Sequence, residues 1–336
     1  MSRITYRTTT TGLYPLPDRA KDELVDLKGR QKDDLIDGSE GSDITTVYAE
    51  ARDTVIDWQR DAGLDRIVEG QLRWDDMLAH PLAVHEAVDT GGLRRYYDNN
   101  NFYREMRVTG PLTPNGDVAR ELEVATERTG ADRLQAVLPG PISLFDLATD
   151  DHYGNAEAFL DGIATYLARE IEAMPPVSTC LLVEPSLASD DLPITTEQIV
   201  DAIDRVVSST SEAGISETIV HIQWGVPSES VYRELLSLDR VGIGFDLVTA
   251  KAESDTLLDE YGAPSTVSLG LVDGQNTRVE SPNEIVESAD SFLSDRDDVT
   301  TAYLTLNTEG FYLPTNRFRE KIQSLAAVTR DREASA

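Results

Sequence analysis

Cysteine, lysine and long apolar runs are scarce in this sequence, and each shortage excludes a class of protein. The 336 residues include a single cysteine, Cys180, which excludes an intrachain disulfide and a multi-cysteine zinc site. No run approaches the roughly 18 apolar residues that a membrane-spanning helix needs. The first ten residues contain no apolar stretch of signal-peptide length. We therefore expect a cytoplasmic protein.

Positive charge is also scarce. The sequence contains 30 basic and 61 acidic residues, which gives a formal net charge of -31. Nucleic acids and anionic membranes both attract basic surfaces, so neither is an expected partner. Only five of the basic residues are lysine, and the acidic residues are spread along the whole chain. Concentrated salt screens the self-repulsion of such a chain. The pattern predicts a protein of a high-salt cytoplasm, with an ordinary acidic cytosolic protein as the alternative.

Short apolar strands alternate with amphipathic helices about eight times along the chain. The strands are continuously apolar, as expected when both faces of a sheet are covered. No polar linker divides the sequence, and the glycine-rich phosphate-binding patterns of doubly wound folds are absent. These features predict an α/β fold with a single (β/α)8 TIM barrel over residues 1–330 and a disordered tail over 331–336. The clearest strands are predicted at Leu134–Leu138, Cys180–Val183, Thr218–Gln223, Val241–Val248, Val267–Val272 and Thr301–Leu306.

In such a barrel the chemistry lies at the carboxyl ends of the strands. Glu184 follows an apolar strand directly, so its carboxylate can accept hydrogen bonds from a ligand or anchor a neighbouring loop. The alternative is a structural acid paired with an arginine. His221 and Gln223 point the same way on their strand. His221 is therefore either part of a metal site or a hydrogen-bonded barrel histidine.

Other polar residues have simpler interpretations. The amide-rich segment Asn99–Arg104 predicts a loop, since three successive asparagines are poor in helices and strands. The arginines around it form a positive island that can receive an anionic substrate, unless the segment is a plain polar turn. His80, His85 and His152 are expected at the surface, and Cys180 is expected to be a small buried apolar residue.

Several segments, in order along the chain, resemble signatures of the cobalamin-independent methionine synthase family. They are TTTTGLYP (8–15), DRIVEGQLRWDD (65–76), NNNFYR (99–104), LPGP (138–141), VEPSL (183–187), GIGFDLV (242–248), GLVDGQNTR (270–278) and EGFYLP (309–314). The resemblance implies a barrel and a methyl-transfer reaction. In that family zinc binds the homocysteine thiolate, which attacks a methyl group carried by a folate-type pterin.

The zinc-binding positions of the family are altered in this sequence. The His-x-Cys pair reads His221-x-Gln223, the glutamate position is Asp246, and the second cysteine position is Glu309. The two acids that hold the homocysteine amine fall on Gln71 and Val183. The DGQNTR motif is closer to the N-terminal, non-zinc barrel of the long two-barrel enzymes. The resemblance therefore makes zinc doubtful as a cofactor, although a methylated pterin remains the expected substrate.

A candidate site follows from the strand ends and the resemblance together. Arg104 and Arg278 would pair with anionic groups such as a glutamyl tail, and Glu184 would orient the pterin or a loop. The complete set is Glu184 and Asp273 as catalytic residues, Gln71, Arg104, Asn276 and Arg278 as substrate-binding residues, and His221, Asp246 and Glu309 as metal ligands.

Four functions are compatible with these residues. The chain is either a methyltransferase barrel without zinc that works beside a separate zinc-bearing chain, or an active methyltransferase in which His221, Asp246 and Glu309 supply harder ligands. A barrel similar to uroporphyrinogen decarboxylase and a non-catalytic scaffold are the other two. A partner encoded nearby that keeps both cysteines would favour the first.

Overall fold

The computed structural model describes residues 4–24, 40–95, 102–189 and 191–334. The strands are β1 (Thr5–Thr8), β2 (Val88–Arg95), β3 (Phe102–Val108), β4 (Gln135–Pro139), β5 (Ala148–Asp150), β6 (Thr179–Val183), β7 (Glu217–Ile222), β8 (Val241–Asp246), β9 (Thr266–Val272) and β10 (Thr301–Leu306). The helices are α1 (Asp18–Glu23), α2 (Ser42–Ala62), α3 (His80–Ala83), α4 (Asp117–Thr129), α5 (Pro141–Leu147), α6 (Ala156–Glu172), α7 (Thr196–Glu212), α8 (Glu229–Ser237), α9 (Lys251–Tyr261), α10 (Pro282–Phe292) and α11 (Thr315–Ala334).

Seven parallel strands form the main sheet in the order β1-β10-β9-β8-β7-β6-β4. A short segment after α2 joins the two edges of this sheet. The backbone nitrogens of Asp65 and Arg66 donate to Thr8 O on β1, and Ile67 N donates to Arg133 O beside β4. Gln135 N donates back to Ile67 O at 2.8 Å. This segment occupies the place of an eighth strand, so the predicted TIM-barrel fold is confirmed.

Local sequence signals determine where the outer helices begin. Thr195 and Gln198 form a capping box at α7, and Ser281 and Glu284 form another at α10, where Pro282 is the first helical residue. No helix within the described residues is both long and apolar enough to cross a membrane.

A three-stranded sheet in the order β2-β3-β5 lies outside the barrel, and the sequence did not predict it. The predicted loop at Asn99–Arg104 is wrong for residues 102–104, which begin β3, whereas residues 99–101 lie outside the described ranges. Pairing across the sheet explains the difference. Arg94 contacts Glu105 at 2.8 Å and Arg107 contacts Asp151 at 2.5 Å. Such cross-strand pairs stabilise strands whose own pattern is weak.

Two histidines that were expected at the surface are buried, so that expectation is wrong for His80 and His85. The His80 ring stacks on Trp74 with 4.5 Å between centroids, and its Nε2 donates to Asp117 Oδ2 at 2.8 Å. The stacking on Trp74 and the hydrogen bond to Asp117 compensate for the burial of this ring, although its Nδ1 has no hydrogen-bond partner within the described residues. His152 is exposed and Cys180 is buried, as predicted.

The last helix, α11, is longer than its pattern predicts. It continues to Ala334, through four of the six residues expected to form a disordered tail. Residues 335 and 336 lie outside the described ranges.

Candidate functional site

Backbone strain is concentrated at the carboxyl ends of the barrel strands. Five non-glycine residues of the described ranges have positive φ, and three of them lie at this rim: Leu13 (44°), Gln71 (52°) and Trp224 (61°). Such conformations cost about 1–3 kcal/mol each and gather at functional sites. Together with the usual location of barrel active sites, this strain identifies the carboxyl-end rim as the candidate site.

Gln71 joins three parts of the rim through its side-chain amide. Its Oε1 accepts from Leu13 N at 2.9 Å, and its Nε2 donates to Val137 O at 2.9 Å. Gly12 has φ 81°, and a Cβ there would lie 2.2 Å from Gln71 Oε1, so the close approach of this turn requires glycine. Because both ends of the amide are used within the protein, Gln71 holds two rim loops together.

Glu184 anchors the loop that follows the neighbouring strand β4. Its carboxylate accepts hydrogen bonds from Ile142 N at 2.9 Å, Ser143 N at 2.8 Å and Ser143 Oγ at 2.6 Å. These donors lie at the start of α5, where helix backbone N–H groups have no partner within the helix. Burial raises the pKa of Glu184 to about 7, against the lowering effect of the Ser143 hydroxyl. The contacts match the loop-anchoring alternative.

Asp246 and His221 are connected through Asn307, which follows β10. The Asn307 amide nitrogen donates to both Asp246 oxygens, at 3.1 and 3.3 Å. Trp224 N, Val248 N, Thr249 N and the Thr249 hydroxyl also donate to Asp246, at 2.7–3.0 Å. Five donor groups therefore satisfy this buried carboxylate without a cation.

One nitrogen of the His221 ring is hydrogen-bonded, and the other, Nδ1, has no hydrogen-bond partner within the described residues. Nε2 donates to Asn307 O at 3.0 Å, while Nδ1 faces Gly244, where a Cβ would lie only 2.2 Å away. Burial lowers the pKa of His221, which favours the neutral ring. The contacts match the hydrogen-bonded barrel histidine that the sequence left as one alternative.

These residues do not fit the zinc site that the family resemblance implies. A zinc ligand needs a free lone pair on nitrogen, oxygen or thiolate sulfur. Both Asp246 oxygens accept protein hydrogen bonds. The lone pair of His221 Nδ1 has no partner within the described residues, but this nitrogen lies against Gly244, where a Cβ would be only 2.2 Å away. Cys180 lies within β6, where burial raises the pKa of its thiol to about 12. Within the described residues no three His, Cys, Asp or Glu side chains are grouped to hold a metal.

Asp273, Asn276 and Arg278 belong to one loop after β9. Asp273 Oδ1 accepts from Gln275 N and Asn276 Oδ1 accepts from Arg278 N, both at 2.9 Å. The exposed Arg278 side chain forms an ion pair with Glu284 on α10. Asp273 is only partly buried at the base of this loop, and Asn276 is exposed.

Two buried side chains, Glu280 and Asn307, accept hydrogen bonds from the backbone of this loop. Glu280 Oε1 accepts from Asp273 N at 3.2 Å, and Glu280 Oε2 accepts from the fully buried Lys321 Nζ at 2.7 Å. Asn307 Oδ1 accepts from Gly274 N at 2.9 Å. The loop is therefore connected to the Asp246 network through Asn307.

The remaining two candidates lie apart, Glu309 after β10 and Arg104 in the separate three-stranded sheet. Burial raises the pKa of Glu309 to about 7, and the nearby Asp76 carboxylate adds to this rise. Arg104 is half-buried in β3. Burial also raises the pKa of its neighbour Tyr103, and the Asp146 carboxylate contributes to it.

Sequence reasoning placed Asn307 at a strand end without assigning it a role in the site, and it missed Ser143 and Glu69. Asn307 and Glu69 each follow an apolar run at a strand end, which was an available signal. Ser143 had none, because its role depends on Glu184, 41 residues away in the chain.

Comparison with known proteins identifies the family. A model described as "Cobalamin-independent synthase, N-terminal domain" matches residues 85–294. A methionine synthase from Saccharolobus islandicus is 21% identical over 282 residues, covering 83% of this chain and 80% of that protein. A 5-methyltetrahydropteroyltriglutamate–homocysteine methyltransferase from Burkholderia pseudomallei is 28% identical over 253 residues, covering 65% of this chain but 32% of that protein.

Solved structures agree on the fold. A B12-independent methionine synthase from a Shewanella species, in complex with selenomethionine, has a TM-score of 0.75 at 18% identity and covers 100% of this chain and 99% of its own. A putative vitamin-B12-independent methionine synthase from Listeria monocytogenes has a TM-score of 0.67 at 16% identity, covering 98% and 99%. The family model covers well over half of the chain, and the chain therefore belongs to the cobalamin-independent methionine synthase family.

Proposed function

We propose that this chain is the non-zinc barrel of a cobalamin-independent methionine synthase and that a separate zinc-bearing chain activates homocysteine. One observation supports the proposal most directly. Protein hydrogen-bond donors satisfy Asp246, and His221 Nε2 donates to Asn307 O, at the two positions where the resemblance would place zinc ligands. The match to the family's N-terminal domain supports it. The same contacts count against the alternative in which His221, Asp246 and Glu309 hold a metal.

The proposed reaction transfers a methyl group from a methylated folate-type pterin to homocysteine. Relatives with this activity in their names support the choice of substrates. In this chain Arg104 would bind the anionic tail of the pterin. Glu184 would act as a positioning residue, because it holds the loop before α5 through Ser143. Asp273 and Asn276, at the carboxyl-end rim, would contact the substrate. The enzyme would work in a salt-rich cytoplasm.

An assay of methionine formation tests the proposal. The purified chain is supplied with methylated pterin and homocysteine in concentrated KCl, alone or with a family barrel from the same genome that keeps both zinc cysteines. We expect no methionine from this chain alone and turnover from the pair. Methionine from this chain alone would contradict the proposal in favour of an altered metal site. Full activity of the zinc-bearing chain by itself would remove this chain from the enzyme.

Measurements of pterin binding distinguish the proposed role of Arg104 from that of Arg107, which lies on the same strand. Arg104→Ala should weaken binding of the methylated pterin in titration calorimetry. Arg107→Ala on the same strand is the matched control, because Arg107 already pairs with Asp151 at 2.5 Å. Equal affinities for the two variants would remove Arg104 from the binding site.

The family match favours methyl transfer over the decarboxylase-like alternative.

A further inference from the structure

Glu309, in the loop after β10, is a buried carboxylate that receives no hydrogen bond from any other described residue. It is 3% exposed, and its carboxylate accepts only from its own backbone N–H. Glu184 and Asp246, by contrast, accept from three and five donor groups of other residues. Burying a carboxylate is costly unless donors replace its hydration. Glu309 therefore has acceptor capacity that the described protein does not use.

The backbone around Glu309 directs this carboxylate into the mouth of the barrel. A Cβ at Gly274 would lie 2.7 Å from Glu309 O, so the loop after β9 packs against one side of the backbone. A Cβ at Gly310 would lie 2.6 Å from the Phe318 ring on α11, which closes the outer side. Burial raises the pKa of Glu309 to about 7, and the Asp76 carboxylate adds to this rise. The side chain therefore points towards the rim loop of Asp76, across the mouth.

Gln223 approaches the same mouth from the end of β7. It is 1% exposed, and its amide nitrogen has no hydrogen-bond partner within the described residues. His221, two residues earlier and on the same face of the chain, donates from Nε2 to Asn307 O at 3.0 Å. Glu309 lies two residues beyond Asn307. The ends of β7 and β10 therefore meet at this contact, and Gln223 and Glu309 each lie one step nearer to the mouth.

An aromatic ring lies beside the Glu309 carboxylate. Tyr312 is 52% exposed, and its ring meets that of Phe311 edge-on with 5.1 Å between centroids. Burial raises the pKa of Tyr312 to about 12, and the Glu309 and Asp76 carboxylates add to the rise. The ring and the two acids therefore share one side of the mouth. A half-exposed aromatic ring offers a face on which a planar ligand can stack.

We propose that Glu309, Gln223 and Tyr312 bind the edge of a planar heterocycle that presents an amino group, a ring N–H and a carbonyl in a row. The two Glu309 oxygens accept from the amino group and the ring N–H, because a carboxylate suits two parallel donors. The Gln223 amide donates to the carbonyl, and the Tyr312 ring stacks on the heterocycle.

A pterin ring and a guanine ring both present this edge. The inference rests on the proposed function, in which a methylated pterin is the substrate, and it names the residues that hold the ring of that substrate. The resemblance places zinc-binding cysteines at positions 223 and 309. In this chain the same two positions would contact the substrate directly.

Titration calorimetry of the full chain with three small probes tests the site. The probes are 5-methyltetrahydropterin without a glutamyl tail, its analogue without the 2-amino group, and guanosine. Loss of the amino group should weaken binding about thirtyfold, because a hydrogen bond to an ionised carboxylate is lost. The tail-free ring removes any contribution of Arg104. Whichever of the pterin and guanine rings binds more tightly identifies the source of the ligand.

Three variants assign the binding to these side chains. Glu309→Gln should weaken binding of the tail-free ring about thirtyfold, since the amide replaces one of the two acceptors with a donor. The same variant should hardly change the affinity for the analogue without the amino group. Gln223→Leu should weaken binding of the ring about fivefold. Glu287→Gln, which removes the same charge from an exposed position on α10, should bind as the wild-type chain does.

Urea unfolding separates binding from folding. Because no other described residue donates to Glu309, Glu309→Gln should not lower the urea midpoint. A lower midpoint with equal weakening of all three probes would make Glu309 a structural residue and overturn the proposal. No binding of either ring to the wild-type chain, or equal affinities in Glu309→Gln and the wild-type chain, would also overturn it.

These measurements need neither turnover nor a partner chain, so they are independent of the methionine assay. Ring binding that depends on Glu309, without methionine formation by the pair of chains, would overturn the proposed methyl transfer and support this site. Methionine formation by the pair, with ring affinity unchanged in Glu309→Gln, would overturn this site alone.

Discussion

Two buried carboxylates near the carboxyl ends of the barrel strands differ in how they are satisfied. Asp246 accepts from five donor groups, three of them backbone N–H groups of the turns after β7 and β8. Glu69 accepts one hydrogen bond, from Gln71 N, and its other oxygen has no partner in the protein. Both are at least nine-tenths buried.

The comparison shows that burial alone does not make a carboxylate reactive. A carboxylate with all its lone pairs satisfied is a structural element, because any ligand would have to displace hydrogen bonds already made. One with an orphaned oxygen still has capacity to bind a proton. In this barrel Asp246, which the resemblance assigns to the zinc site, is held in a hydrogen-bond network, whereas one oxygen of Glu69 has no partner within the described protein.

The largest expected effect comes from removing Asp246. Asp246→Ala leaves buried backbone donors at Trp224, Val248 and Thr249 without an acceptor, so the free energy of unfolding should fall by about 4 kcal/mol. Urea unfolding in concentrated KCl measures it. Asp246→Asn keeps one oxygen and should cost less. A loss below about 1 kcal/mol in the alanine variant would show that the network is not structural.

Glu184 should show a smaller loss of the same kind. Glu184→Ala removes the acceptor of Ile142 N and Ser143 N at the start of α5, and we expect about 3 kcal/mol of destabilisation by urea unfolding. Glu184→Gln retains an acceptor oxygen, so folding should stay intact while pterin affinity falls. Unchanged affinity in the glutamine variant would remove its positioning role.

Stability should fall as the pH rises. Burial raises the pKa values of Glu69, Glu184 and Glu309 from 4.5 to about 7. Between these values the folded chain binds more protons than the unfolded chain, so the contribution is full below pH 4.5 and is lost as the pH passes 7. We expect about 3 kcal/mol for each group. Urea unfolding at constant salt measures the slope.

A control variant tests whether Glu309 contributes to the pH dependence of the free energy of unfolding. Glu309→Gln should flatten the slope between pH 4.5 and 7, since an amide does not titrate in this range. The same slope in Glu309→Gln as in the wild-type chain would show that Glu309 does not contribute.

The smallest effect is expected at the outer loop. Arg278 is exposed and pairs with Glu284, and exposed ion pairs contribute little. Arg278→Ala should therefore leave the urea midpoint unchanged in high salt. A clear loss of stability would indicate that the loop after β9 depends on this pair as well as on Glu280.

The sequence predicted the barrel because its strands and helices carry local signals. Continuous apolar runs marked strands such as β6 and β8, and amphipathic patterns marked helices such as α7 and α10. The hairpin of β2 and β3 was missed because its strands depend on pairing with each other, as between Val88 and Val108, and not on a pattern within either strand. Local patterns do not contain such long-range partners.

The site was predicted less well for the same physical reason. Strand-end position correctly pointed to the rim, where Gln71, Glu184, His221 and Asp246 lie. Whether a polar side chain there is free or already satisfied depends on donors 40 or more residues away, such as Ser143 for Glu184 and Asn307 for Asp246. No spacing in the sequence records those contacts.

Zinc content tests the central claim most directly. The chain is purified alone in concentrated KCl without a chelator, and its zinc is counted by elemental analysis. The saturated Asp246 and the hydrogen-bonded His221 predict no stoichiometric zinc. About one zinc per chain, lost in His221→Ala, would contradict the account and place the methyl-transfer centre in this barrel.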